Sequence, residues 1–232
     1  MLKYLGLGAA IVAVLLSLTA VTPAGSASDK LPDLVPIEKY LKDNRIQRSG
    51  GLKFLRFSAG AGNFGDGALE VRGERASTGD PMTAIQRVYQ SGGFTDVTIG
   101  TFVYTGSHGH WHFNAFARYE LLYPDGSLAA STDKASFCLL DVDRIKPRPP
   151  GSPRRPVYTS CNQGDINALQ IGPQGVAVGW ADVYKKYIEG QLLEITGLPK
   201  GRYTLRVTVD PENRILESDE SNNVASVQVR IR

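Results

Sequence analysis

Apolar and polar positions alternate along most of this chain with a period of two, as they do in strands that bury one face. The clearest runs lie near the C-terminus: Tyr203, Leu205, Val207 and Val209 share one parity, and Val227, Val229 and Ile231 share another. Similar alternation, or a short apolar run bounded by turn residues, predicts strands over 53–58, 68–72, 85–90, 97–104, 111–123, 135–140 and 192–196. Between the first two, Gly60-Ala61-Gly62-Asn63-Phe64-Gly65-Asp66-Gly67 reads as a hairpin turn. No helix signal follows it, which argues against a phosphate-binding loop. Residues 28–50 read as charged loop apart from an apolar stretch over 31–36, residues 144–156 as a solvated loop rich in Pro and Arg, and residues 162–182 as irregular chain with at most a helical turn. No repeat and no long amphipathic helix is evident. The expected fold class is all-β, a β-sandwich with long irregular loops and little helix.

The first residues depart from that pattern. Lys3 is the only early charge, an apolar run extends to about Val21, and Pro23-Ala24-Gly25-Ser26-Ala27 supplies small residues. This predicts a cleaved signal peptide over residues 1–27, a domain over residues 28–232, and a secreted, extracellular product with no stable membrane insertion afterwards. Losing Lys3 takes the net charge from +3 to +2. Such a balance is too weak to imply a nucleic-acid partner. Cys138 and Cys161 are the two cysteines, and in an exported chain an even pair predicts one disulfide, worth about 3 kcal/mol for a loop of this size. The competing use of Cys138 as a copper thiolate lacks a ready axial Met, since only Met82 remains beyond the leader.

All three histidines stand at alternate positions: His108, His110 and His112. On one extended strand they would share a face over about 13 Å, with Trp111, Phe113, Ala115, Ala117, Tyr119 and Leu121 on the opposite parity. Convergence on one ion requires a twist or kink, which Gly109 permits. A surface strand or a nucleic acid-facing patch is the plainer alternative. Imidazole suits both zinc and copper, and three protein ligands leave a position open for chemistry. Zinc would point to hydrolysis and copper to oxidation, so the histidines alone leave the metal open.

Other segments carry a resemblance. His108-Gly109-His110-Trp111-His112, Arg118-Tyr119-Glu120-Leu121-Leu122, Lys134-Ala135-Ser136-Phe137-Cys138-Leu139, Asp182-Val183-Tyr184 and Glu217-Ser218-Asp219-Glu220-Ser221-Asn222-Asn223-Val224 follow one another in the order of the lysyl oxidase catalytic domain, which the chain resembles. Leu31-Pro32-Asp33-Leu34-Val35-Pro36 is similar to that family's domain start. The resemblance implies a copper-dependent amine oxidase. Its organic cofactor, lysine tyrosylquinone, would form from Lys134 and Tyr184, with an unprotonated Lys134 amine adding to the oxidised ring. The implied partners are a primary amine (peptidyl lysine or a small amine) and O2, and the products are an aldehyde, ammonia and hydrogen peroxide. Asp182, two residues from Tyr184, is the candidate proton-abstracting base. Arg118 stands where animal members carry a further histidine, and most of their cysteines are missing here.

The resemblance also implies calcium held by Asp33, the Leu34 backbone, Glu217, Asp219, Asn222 and Asn223. The side chains of the last four form an all-oxygen set suited to that ion, although such residues also favour plain turns. Two other readings compete with the oxidase: a non-enzymatic adhesion or ligand-binding β-sandwich with a structural metal, and a zinc hydrolase using the same three histidines.

Overall fold

A computed structural model describes residues 29–161 and 165–232, except for the side chains of Asp133 and Lys134. The expected leader, residues 1–27, lies outside the described residues. In chain order the elements are β1 (Leu34–Pro36), α1 (Glu38–Leu41), β2 (Asn44–Ser49), β3 (Leu52–Phe57), β4 (Ala59–Asn63), β5 (Leu69–Glu74), β6 (Met82–Gln90), β7 (Gly93–Thr105) and β8 (His110–Leu122). They continue with β9 (Leu128–Phe137), β10 (Asp143–Arg144), β11 (Gln170–Val176), β12 (Trp180–Tyr184), β13 (Leu192–Glu194), β14 (Gly201–Val209) and β15 (Val224–Ile231). The fold is all-β, as the alternation predicts.

The largest sheet runs β11-β5-β6-β7-β8-β14-β15, with β9 also paired to β8. A four-stranded sheet, β1-β4-β12-β10, and a three-stranded one, β13-β3-β2, complete the fold. Leu34, Leu55, Phe57 and Leu193 from the small sheets share one continuous core with Leu69, Tyr119, Leu205 and Val229 from the large one. Phe57 meets Tyr119 edge to face at 4.8 Å between ring centroids, a geometry that favours aromatic pairs. Burial alternates residue by residue along β14 and β15, placing Tyr203, Leu205, Val207, Val209, Val227, Val229 and Ile231 inside.

Four expectations need correction. The glycine-rich segment is not a hairpin turn: Ala59–Asn63 forms β4 between β1 and β12, and the residues after it cross to β5 in a different sheet. Its glycines are there for close packing: a Cβ at Gly60 would lie 2.8 Å from the Tyr40 ring, and one at Gly62 2.7 Å from Ile145. Consequently β3 pairs with β2 and β13 rather than with β5. Residues 28–50 contain α1 and β2 as well as β1. β2 reads Asn44-Arg45-Ile46-Gln47-Arg48-Ser49, with one apolar side chain, so it carries no hydrophobic period to read. The stretch 162–182, expected to be irregular, holds β11 and most of β12. Trp180 through Val183 are all buried, and a strand buried on both faces does not alternate. Finally, the parity along β8 breaks at Ala115, whose φ of +60° marks a bulge opposite β9, so that Phe116 joins the core as well.

Candidate metal centre and adjoining cleft

The three histidines come together, but not from one strand face. β7 ends at Thr105 and β8 starts at His110, with Thr105 opposite His110 in register. His108 therefore sits in the connecting turn, where Gly109 takes φ +70°. The turn folds His108 back over His110 and His112. His110 Nε2 lies 2.9 Å and His108 Nδ1 lies 3.4 Å from His112 Nε2. Nitrogens bound tetrahedrally to one ion at about 2.0–2.1 Å stand about 3.3 Å apart. The two distances to His112 are already close to that spacing, and the ligand nitrogens of all three lie within 4.8 Å of one another.

Each outward nitrogen is also held. His110 Nδ1–H donates to the His108 carbonyl at 3.0 Å, and His108 Nε2 lies 3.3 Å from the Glu189 carboxylate. Both partners only accept, so they place the ring proton outward and the lone pair inward. His112 Nδ1 lies 2.7 Å from Thr105 Oγ1, a hydroxyl that can donate or accept. Burial pushes the His112 pKa down to about 4, with His110 and His108 adding repulsion. Burial also lowers His110. Neutral imidazoles are the form that binds metal.

Tyr184 ends β12 beside this cluster. Its hydroxyl donates to the Cys138 carbonyl at 3.0 Å and accepts from the Cys138 N–H at 2.8 Å. Its ring packs on Phe137, 4.2 Å between centroids. Burial, then the nearby Asp182 carboxyl, raises the phenol's pKa. Cys138 is bonded to Cys161, as the even count of cysteines predicts, with Cα atoms 5.5 Å apart. His108, His112 and Tyr184 line a cleft of about 320 Å³ together with Glu189, Gln191 and residues of β9. The same two histidines, Tyr184 and His110 line a second hollow of about 280 Å³ with Asp182 and the disulfide.

Asp182 is buried, and neither carboxylate oxygen makes a hydrogen bond. The Leu140 and Val183 backbone amides are close enough to oppose the effect of burial, but burial still holds the pKa well above the usual carboxylate range. Lys134 belongs to β9, and its side chain is outside the described residues. Its strand neighbours Thr132, Ala135 and Ser136 border the cleft that Tyr184 faces. Glu189 and Thr105 went unread in the sequence. Glu189 lies 81 residues from His108, and nothing local marks it. Thr105 is legible only once the β7–β8 register is known.

The six residues named for calcium also gather in one place. Glu217 accepts from Leu34 N–H at 2.5 Å and from Asn223 Nδ2 at 2.9 Å. Asn222 Nδ2 donates to Asp33 at 2.8 Å, and Asp219 accepts from the Ser221 N–H at 2.8 Å and from its hydroxyl at 2.6 Å. The side-chain carbonyl oxygens of Asn222 and Asn223 are buried without a partner, an arrangement that fits a hard cation. Burial raises Glu217 to about 8, with Glu220 and Asp210 adding repulsion. The carboxylates of Asp210 and Glu220, not anticipated from sequence, reach within 4.8 Å of that of Glu217.

The family model described as Lysyl oxidase matches residues 97–232, which include both clusters apart from Asp33 and Leu34. Lysyl oxidase homolog 2 of Gallus gallus is 34% identical over 132 residues, 55% of this chain and 15% of that protein. Lysyl oxidase homolog 4 of Mus musculus is 41% identical over 118 residues, 50% of this chain and 14% of that protein. Lysyl oxidase homolog 3B of Danio rerio is 32% identical over 127 residues, 53% and 14% respectively. Each alignment thus spans about half of this chain and about a seventh of the relative. With the family model covering more than half of its length, this chain belongs to the lysyl oxidase family.

Proposed function

We propose that the protein is an exported, copper-dependent amine oxidase in which His108, His110 and His112 hold Cu2+ and Lys134 and Tyr184 form lysine tyrosylquinone. Residues 28–232 would be the catalytic domain behind a leader over residues 1–27. Among the described residues no helix is long and apolar enough to cross a membrane. The observation that carries the reading is the convergence of three imidazoles beside a cleft that Tyr184 also lines.

The ion and quinone would supply the redox chemistry by which a primary amine, O2 and water become an aldehyde, ammonia and hydrogen peroxide. The chain's own residues have distinct tasks. The cleft would take the primary amine, whether peptidyl lysine or a small molecule, with the Glu189 carboxyl in its lining. Asp182 is the candidate base: burial makes its ionised carboxylate more basic than an ordinary one, while holding more of the group protonated. The high phenol pKa of Tyr184 resists ionisation, and a divalent cation beside it would oppose that resistance. The second cluster would hold Ca2+ and join the start of the domain to its tail, a structural role.

The test is mass spectrometry of protein loaded with copper under air. A cross-link between the peptides carrying Lys134 and Tyr184 is expected, together with a redox-cycling stain on the denatured chain. Loaded protein that shows neither, and releases no peroxide from any primary amine, overturns the oxidase reading.

A further inference from the structure

The turn after β12 carries the one described carboxylate within hydrogen-bonding distance of the histidine cluster. Glu189 lies 3.3 Å from His108 Nε2, and its side chain is 74% exposed. Its position is built, not incidental. Ile188 N–H donates to the Lys185 carbonyl at 2.9 Å and Gln191 N–H to the Ile188 carbonyl at 3.2 Å. Arg56 donates to the Lys186 and Ile188 carbonyls at 2.7 and 3.2 Å. Lys186 N–H donates to Ser58 Oγ at 3.0 Å. Gly190, at φ +80°, then returns the chain toward β13.

His108 is the member of the triad that most needs an external guide. His110 and His112 are fixed by β8, whereas His108 stands in a turn and presents Nδ1, not Nε2, to the centre. A ring that is free to rotate would spend part of its time with that lone pair aimed elsewhere. A carboxylate behind a ligating imidazole fixes both its tautomer and its direction, and such partners typically change metal affinity by about 10–100-fold. We propose that Glu189 is a positioning residue of the metal site, holding His108 with Nδ1 turned inward. It also joins that ligand to the segment five residues beyond Tyr184. The proposal rests on the reading of the triad as a copper site.

An exposed contact of this kind contributes little to folding, so the positioning role separates cleanly from a structural one. The experiment measures Cu2+ affinity by chelator competition and the copper hyperfine coupling by electron paramagnetic resonance, alongside the Tm of the metal-free protein. Glu189→Ala is expected to weaken Cu2+ binding about 10–100-fold with the metal-free Tm unchanged. Glu189→Gln, which keeps an accepting oxygen, should recover most of the affinity with an unaltered spectrum. Wild-type affinity in Glu189→Ala overturns the proposal. So does a changed hyperfine coupling in Glu189→Gln, which would make Glu189 a direct ligand. His112→Ala tests the underlying reading separately: if it binds Cu2+ as tightly as wild type, the triad is not the copper site and both fall.

Discussion

The histidine cluster and the carboxylate–amide cluster are both candidate cation sites, yet they are assembled on opposite scales. His108, His110 and His112 occupy five consecutive positions at the end of one hairpin. In the other cluster Leu34 and Glu217, 183 residues apart, share a hydrogen bond. The first offers imidazole nitrogens to a cleft, and the second offers oxygens at a seam between the two ends of the domain. This difference predicts what each ion does. A hairpin keeps its strands without an ion, so loss of the first should remove chemistry and leave stability nearly untouched. A contact that closes so long a loop depends on neutralising its own buried charge, so loss of the second should show as instability.

Several substitutions would break or sharpen that contrast. The largest expected effect is at Tyr184. Tyr184→Phe should abolish the redox-cycling stain and amine-dependent peroxide release altogether, while two lost hydrogen bonds cost about 1–2 kcal/mol of stability. A Phe variant that still stains removes the cofactor assignment. Next, His112→Ala should lower Cu2+ affinity by more than about 100-fold, beyond the usual effect of an outer partner. Any rise in Tm on adding Ca2+ should survive in that variant, and a lost rise would show that the two sites are coupled.

The pH dependence of stability tests the second cluster. Glu217 is raised from 4.5 to about 8, so the folded chain binds its proton more tightly than the unfolded chain does. Its contribution is fully present below pH 4.5 and is lost as pH rises through 8, a fall of about 3–5 kcal/mol in cation-free buffer. Saturating Ca2+ should cancel most of that fall, and equal denaturation midpoints at pH 5 and pH 8 without Ca2+ would refute the assignment. Glu217→Gln should flatten the profile and cost about 1–3 kcal/mol at low pH, because its amide NH2 meets an N–H donor where a carboxyl oxygen accepts. Cu2+ affinity should be unaffected. The smallest effect is expected for Asn222→Ala, about 1 kcal/mol without Ca2+, with weaker Ca2+ binding in titration calorimetry.

What was legible in sequence follows the same contrast of scale. The strands with one wet face, β6, β14 and β15, announce themselves because alternation is local. β12 does not, since both of its faces are covered, and its backbone direction decides where Asp182 and Tyr184 point. β4 was hidden by glycines that look like a turn and instead admit Tyr40 and Ile145 against the backbone. The six residues named for the second cluster were recoverable through family resemblance. Asp210 and Glu220 were not, because only folding carries their carboxylates to Glu217.

By itself, the sequence determined the chemistry of the candidate sites: three imidazoles within five residues, a pair of cysteines, and a tail of carboxylates and amides. Those are properties of residue type and short spacing. Only the tertiary structure decided that His108 reaches the others from a turn, that Tyr184 hangs from the Cys138 peptide, and that Thr105 and Glu189 stand behind the rings. Those arrangements depend on register and on contacts between distant segments, which packing of the whole core selects and no local pattern encodes.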